Sequence, residues 1–171
     1  MSFEVGTIDF AVYEDSDEFI GMASVTLPDK NQKIVTMTGA GIGGDLEVPI
    51  PSHYDAMTLT LAFRNYGPKV ARLREHRRHN IELRIAQQNE DPIAGQLVTG
   101  GVKHVFVVIP KAASGGEVAP ASPGNMTVTC AVRYWATYID GVKVEELDVL
   151  NRIDMVNGTD YSEPVRRALG K

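Results

Sequence analysis

Few residue patterns in this chain could do chemistry, and each meets an obstacle in its own neighbourhood. Gly39-Ala40-Gly41-Ile42-Gly43-Gly44 spells G-x-G-x-x-G, a phosphate cradle when a strand precedes it and a helix follows directly. A strand fits before it. After it, Asp45-Leu46-Glu47-Val48-Pro49-Ile50-Pro51 holds two prolines and no helical pattern, so the stretch reads as a turning interface loop. His76-x-x-His79 spaces two imidazoles so that a helix would turn both toward one metal, but Arg72, Arg74, Arg77 and Arg78 crowd them and repel a cation. Asp15-Ser16-Asp17-Glu18 has calcium-like oxygen density and lacks the glycine and distal glutamate of an EF-hand loop. Cys130 lies mid-strand with no base nearby in sequence, the setting of an inert buried thiol. The expectation is a protein that is not an enzyme, with no catalytic residue, metal or cofactor.

What remains is a body that must position contact surfaces. The 171 residues suit a single domain, 1–171, with long loops about 39–51 and 111–124. Hydrophobic residues are 43% and charged residues 23%, ordinary for a folded chain. No apolar run approaches the roughly 20 residues of a membrane-spanning helix. Glu4 and Asp9 fall where a secretory leader would be apolar. The lone cysteine excludes a disulfide framework and suits a reducing compartment.

Charge is unevenly spread over a total of −5. Residues 1–63 carry 2 basic and 10 acidic groups, residues 64–84 carry 7 and 2, and residues 85–171 carry 8 and 10. A DNA-gripping domain is usually basic throughout. A basic segment in an acidic chain suits a charge-complementary protein contact instead.

Most of the chain alternates polar and apolar residues as strands do. Candidate strands are 5–13 (Ile8, Phe10 and Val12 on one face), 19–27, 33–38, 57–63 (Met57, Leu59, Leu61, Phe63), 81–86, 97–109 with a bend at Gly100-Gly101, 126–139 and 142–150. In 126–139, strict alternation puts Met126, Val128, Cys130, Val132 and Tyr134 on one face. Asp140-Gly141 and Asn157-Gly158 are hairpin turns. Gly67-Pro68 opens a helix in which Tyr66, Val70, Leu73 and Arg77 keep helical spacing, ending near His79. Ser162, Pro164 and Gly170 frame a short C-terminal helix. The fold class is mainly β: an antiparallel barrel or sandwich of about eight strands, one flanking helix in mid-chain and a short C-terminal helix. Strands as long as 126–139 leave edges that can template assembly.

Two blocks carry a resemblance. The first runs from Val25-Thr26-Leu27-Pro28-Asp29 to the glycine stretch 39–44. The second is Asp140-Gly141 through Asn151, then Val156-Asn157-Gly158-Thr159-Asp160, Glu163 and Arg166-Arg167. In this order and spacing they resemble the major tail tube proteins of contractile-tailed phages. Residues 85–124 match no pattern of that family.

The resemblance implies a subunit similar to the tube proteins of type VI secretion systems. Six copies would close a ring, and rings would stack into a tube inside a contractile sheath. The tube would surround the tape-measure protein, meet baseplate and tail-terminator proteins, and conduct DNA without sequence-specific binding and without a membrane. The chain would reside in the virion tail after assembly in the bacterial host cytoplasm. Ring-interface candidates are Gly39, Gly41, Ile42, Gly43, Gly44, Val156, Asn157, Gly158 and Asp160. Sheath-facing candidates are Arg72, Arg74, Arg77 and Arg78. Asp15, Asp17, Glu18, Asp45 and Glu47 are candidates for an acidic lumen over which phosphate would slide. Two alternatives stay open: the same role in a phage-derived bacteriocin or injection particle, and a β-sandwich that binds a small ligand.

Overall fold

The computed structural model describes residues 3–19 and 22–171. Among them are twelve strands and two short helices. The strands are β1 (Phe3–Glu14), β2 (Asp17–Glu18), β3 (Met22–Thr26), β4 (Gln32–Met37), β5 (Leu46–Tyr54), β6 (Thr58–Phe63), β7 (His79–Asp91), β8 (Gln96–Ser114), β9 (Met126–Ile139), β10 (Val142–Asp148), β11 (Ile153–Val156) and β12 (Thr159–Asp160). The helices are α1 (Pro68–Leu73) and α2 (Glu163–Ala168). Two residues of the expected strand 19–27, Ile20 and Gly21, lie outside the described residues.

Every pairing among the described strands is antiparallel. The main sheet runs β12-β11-β10-β9-β8-β7-β1-β2, and β6 joins it at β9 and carries β3. β2 and β12 do not pair, so the described sheet is open rather than a closed barrel. Both residues of Asp140-Gly141 have positive φ (47° and 83°), as do Asn157-Gly158 (49° and 82°), the geometry of type I′ turns.

β9 is the hub, and one extra residue in it organises the fold. β9 pairs β8 along its whole length, but Val108 faces Val132 while Val107 faces Tyr134, so Arg133 is a bulge. On the opposite edge, β6 covers Met126–Ala131 and β10 covers Tyr134–Ile139. The bulge also reverses which side chains point inward. Before it, Met126, Val128, Cys130 and Val132 are buried; after it, Trp135 is buried and Tyr134 is not. Strict alternation therefore misplaces Tyr134. Trp135 stacks on Phe106 with ring centroids 5.3 Å apart, and Leu59, Leu61, Ile81, Leu83 and Val108 complete the core.

Three expectations on element boundaries change. α1 stops at Leu73, well short of His79, because Val70 and Leu73 alone reach the core and His79 opens β7. The anticipated loop 39–51 shortens, since β5 begins at Leu46 opposite Met37. The loop 111–124 likewise begins only after Ser114, the end of β8. β8 also runs unbroken through Gly100-Gly101, where a Cβ on Gly100 would sit 3.2 Å from Asn89 Nδ2.

Candidate assembly surfaces

Among the described residues, β4 and β5 form a two-stranded arm that pairs with no other strand. Its register sets Val35 opposite Val48 and Met37 opposite Leu46, so these four share one face. All four are exposed, as is Ile42 near the tip. Thr36 and Glu47 occupy the other face. An isolated hairpin is marginal in water, and an exposed apolar patch on it marks a contact surface. The glycine stretch is the tip: Ile42 N–H donates to the Gly39 carbonyl, and a Cβ on Gly39, Gly41, Gly43 or Gly44 would meet nothing. A strand, not a helix, follows it, which removes the dinucleotide geometry.

The arm is fastened at its root by polar contacts to β10, β11 and the start of α2. Lys30 pairs with Glu145 and rests over the Trp135 ring. Tyr54 donates 2.7 Å to Asp154 and accepts from Gln32. Between Ile34–Pro49 and Gln32–Tyr54, residues 50–53 of β5 face Lys33 alone. In this wide bulge Ser52 takes φ 63° and its hydroxyl meets that of buried Ser162. Ser162 thus precedes α2 without capping it through its side chain. Burial, then the Asp154 hydrogen bond, raises the Tyr54 pKa.

Beneath Lys30, His104 Nδ1 accepts from Trp135 Nε1–H at 3.2 Å and lies 3.0 Å from Thr137 Oγ1. Burial, then the charge of Lys30, lowers the His104 pKa. None of these root residues was a candidate from sequence. Lys30 and Trp135 are over a hundred positions apart, and no spacing rule links them. The single tryptophan was the one available signal.

The other candidates separate into paired and free groups. Arg72 reaches Asp17 at 3.1 Å, Asp15 at 3.9 Å and buried Glu14 at 3.5 Å. Arg77 pairs with Glu14 and Glu75, and the Glu75 carboxyl is held below its usual range by that guanidinium. The Glu18 carbonyl accepts from Lys69. Arg72 thus touches Asp15 and Asp17, so these residues form one mixed patch. Arg74 and Arg78 are exposed and make no ion pair among the described residues, and the same holds for Asp45 and Glu47.

His79 is fully buried between Glu14 and the Glu75 carbonyl, while His76 is exposed on the connection after α1, so the two do not share a helix face. Asn157 and Gly158 form the exposed β11–β12 turn next to half-buried Val156. Asp160 is spent inside the chain: it accepts from Ser162 N–H at 2.9 Å and pairs with Arg166 at 2.7 Å. Burial alone would raise its pKa; Arg166 and the backbone donors bring it below the usual range. Burial pushes the Cys130 thiol up to about 11, leaving almost no thiolate near neutrality.

An exposed apolar arm on a β-sheet body marks a protein built for contact with other chains. The comparisons agree. The family model for phage tail tube protein FII matches residues 7–170, and the chain belongs to that family. It is 25% identical over 162 residues to the tail tube protein of Escherichia phage P2, covering 93% of each chain. Two solved structures share the fold. One is a chain from the extended sheath–tube complex of an extracellular contractile injection system, PVC: TM-score 0.53, 13% identity, 75% of this chain and 87% of that one. The other comes from the sheath/tube terminator of the same system: TM-score 0.57, 12% identity, 80% and 97%. The protein is a tail tube component and not an enzyme.

Proposed function

We propose that six copies close a ring through their arms, and that rings stack into the inner tube of a contractile tail. The observation that carries this reading is the exposed apolar face of Val35, Met37, Leu46 and Val48, on an arm that no other strand pairs with among the described residues. Phe3–Ala11 of β1, whose partner β2 reaches only Tyr13 and Glu14, supplies an open edge for a neighbouring strand. Gly39, Gly41, Ile42, Gly43 and Gly44 form the contacting tip, and the Val156–Gly158 turn is a second contact.

The partners in this reading are the sheath outside, tape-measure protein and later DNA inside, and baseplate and terminator proteins at the ends, with assembly in the host cytoplasm. Likeness to a phage tail tube protein favours a DNA-conducting tail over an injection particle. The mixed Arg72–Asp17 patch is assigned to neither wall.

Negative-stain electron microscopy with light scattering on the purified chain tests this. Hollow rings or tubes with sixfold symmetry are expected. A chain that stays monomeric when concentrated with tail components would instead favour the ligand-binding sandwich.

A further inference from the structure

We infer that a basic cleft between the α1–β7 connection and the tail of β8 seats the arm of a second copy, with Asp45 and Glu47 against Arg74, His76 and Lys111. This rests on the tube reading above and names one contact within it.

The cleft follows from the register. β7 leaves β8 at the His79–Val108 pair, so residues 109–114 of β8 keep only β9 as a neighbour. The diverging connection opens a space of about 160 Å³ lined by Arg74, His76, Pro110, Lys111, Ala112 and Ala113. Its walls are basic and the rest is small and apolar. Lys111 donates 2.7 Å to the Thr58 hydroxyl, and neither Arg74 nor His76 meets a carboxylate among the described residues. Neighbouring Arg72 and Arg77 are neutralised within the chain, whereas Arg74 in the cleft and exposed Arg78 near it make no ion pair among the described residues.

The arm has the complementary charge. Residues 34–54 contain Asp45 and Glu47 and no lysine or arginine. At ~3.3 Å per residue, β4 carries this end on the order of 15–20 Å from the root. Neither carboxylate reaches a base of its own chain among the described residues, so the occupant is another copy. A nucleic acid is the poorer fit: the cleft is narrow and has no aromatic platform, and the chain is net acidic.

The test is a charge swap. Asp45→Lys/Glu47→Lys and Arg74→Glu/Lys111→Glu are each expected to melt close to wild type by circular dichroism. Each should raise the critical concentration for tube formation about tenfold, the effect of roughly 1.4 kcal/mol per contact. The quadruple variant is expected to recover most of that loss. Tubes that form normally from both double variants overturn the contact, as does a quadruple variant with no recovery. Normal tubes from Arg74→Glu/Lys111→Glu that fail to take up sheath protein also overturn it and assign the cleft to the sheath. Wild-type protein that forms neither ring nor tube overturns this inference and the tube reading together.

Discussion

Lys30 Nζ lies 4.1 Å from the centroid of the Trp135 ring. One side chain at the root of an exposed arm thereby touches the most buried aromatic cluster, and its ammonium also pairs with Glu145. A partly desolvated cation–π contact is worth roughly 0.5–2 kcal/mol; the half-exposed ion pair adds little. Lys30→Met is expected to lower Tm by a few degrees, at about 2–4 °C per kcal/mol for a chain of this size. Because Lys30 also depresses the His104 pKa, the variant should raise it. An NMR titration of His104 reads this directly, and an unchanged titration would disprove the electrostatic link.

The His104 pKa sets a pH dependence. In the folded chain it lies below the ordinary imidazole value of 6.5, through burial first and Lys30 second. Above about 6.5 both folded and unfolded forms are neutral, and the contribution to stability is complete. As pH falls below 6.5 the unfolded chain takes up the proton first, so stability declines. Protonated Nδ1 would also confront the Trp135 N–H that it now accepts. The lowered carboxyls of Asp160 and Glu75 act in the same direction at lower pH, near and below their ordinary values of 3.8 and 4.5. Melting temperature is therefore expected to fall between pH 6.5 and 5, and His104→Gln should flatten that interval alone. An identical slope in wild type and variant would rule His104 out.

Arg133 is predicted to matter by its presence and not by its side chain. It is the exposed extra residue where β9 changes partner from β6 to β10. Arg133→Ala is expected to stay within about 0.5 kcal/mol of wild type, as exposed substitutions usually do. Deleting Arg133 would shift every later residue of β9 to the opposite face, taking Trp135 off Phe106 and bringing Tyr134 inward. The deletion is expected to leave an unfolded or aggregated chain in a urea titration. A cooperative transition near the wild-type midpoint would show that the bulge is dispensable.

That bulge also marks how far the sequence could be read. Alternation in 57–63 and 126–132 places the core correctly because β6 pairs β9 without a register shift from Thr58–Ala131 to Phe63–Met126. The two Asx-Gly turns are legible because their positive φ demands those residues. A one-residue insertion leaves no local trace, so Tyr134 is misplaced. The contact between charged candidates is illegible for a different reason: Arg72 and Asp17 lie 55 positions apart, and only the packing of α1 beside the β1–β2 hairpin unites them. The arm was visible as a glycine-rich, proline-bearing stretch. Its apolar face was not, because Val35 and Met37 count as ordinary strand residues until the register with Leu46 and Val48 is known.

Glu14 holds the α1 end of the molecule together. It is 1% exposed, meets His79, lies 3.2 Å from Arg77 and 3.5 Å from Arg72, and has no hydrogen bond on Oε2. Removing one partner of a buried charged cluster costs about 3–5 kcal/mol, because the groups left behind lose their compensation. Here Arg72 and Arg77 retain solvent contact, so Glu14→Ala belongs at the lower end, near 3 kcal/mol, or a fall of about 6–12 °C in Tm. Glu14→Gln keeps the shape and a hydrogen bond to His79 and should lose clearly less. The Arg72→Ala change, whose side chain also bonds exposed Asp17, should cost about 1 kcal/mol or below, as exposed pairs do. Chemical denaturation of the three variants orders them. A Glu14→Ala chain as stable as Arg72→Ala would mean that His79 is satisfied by the Glu75 carbonyl alone.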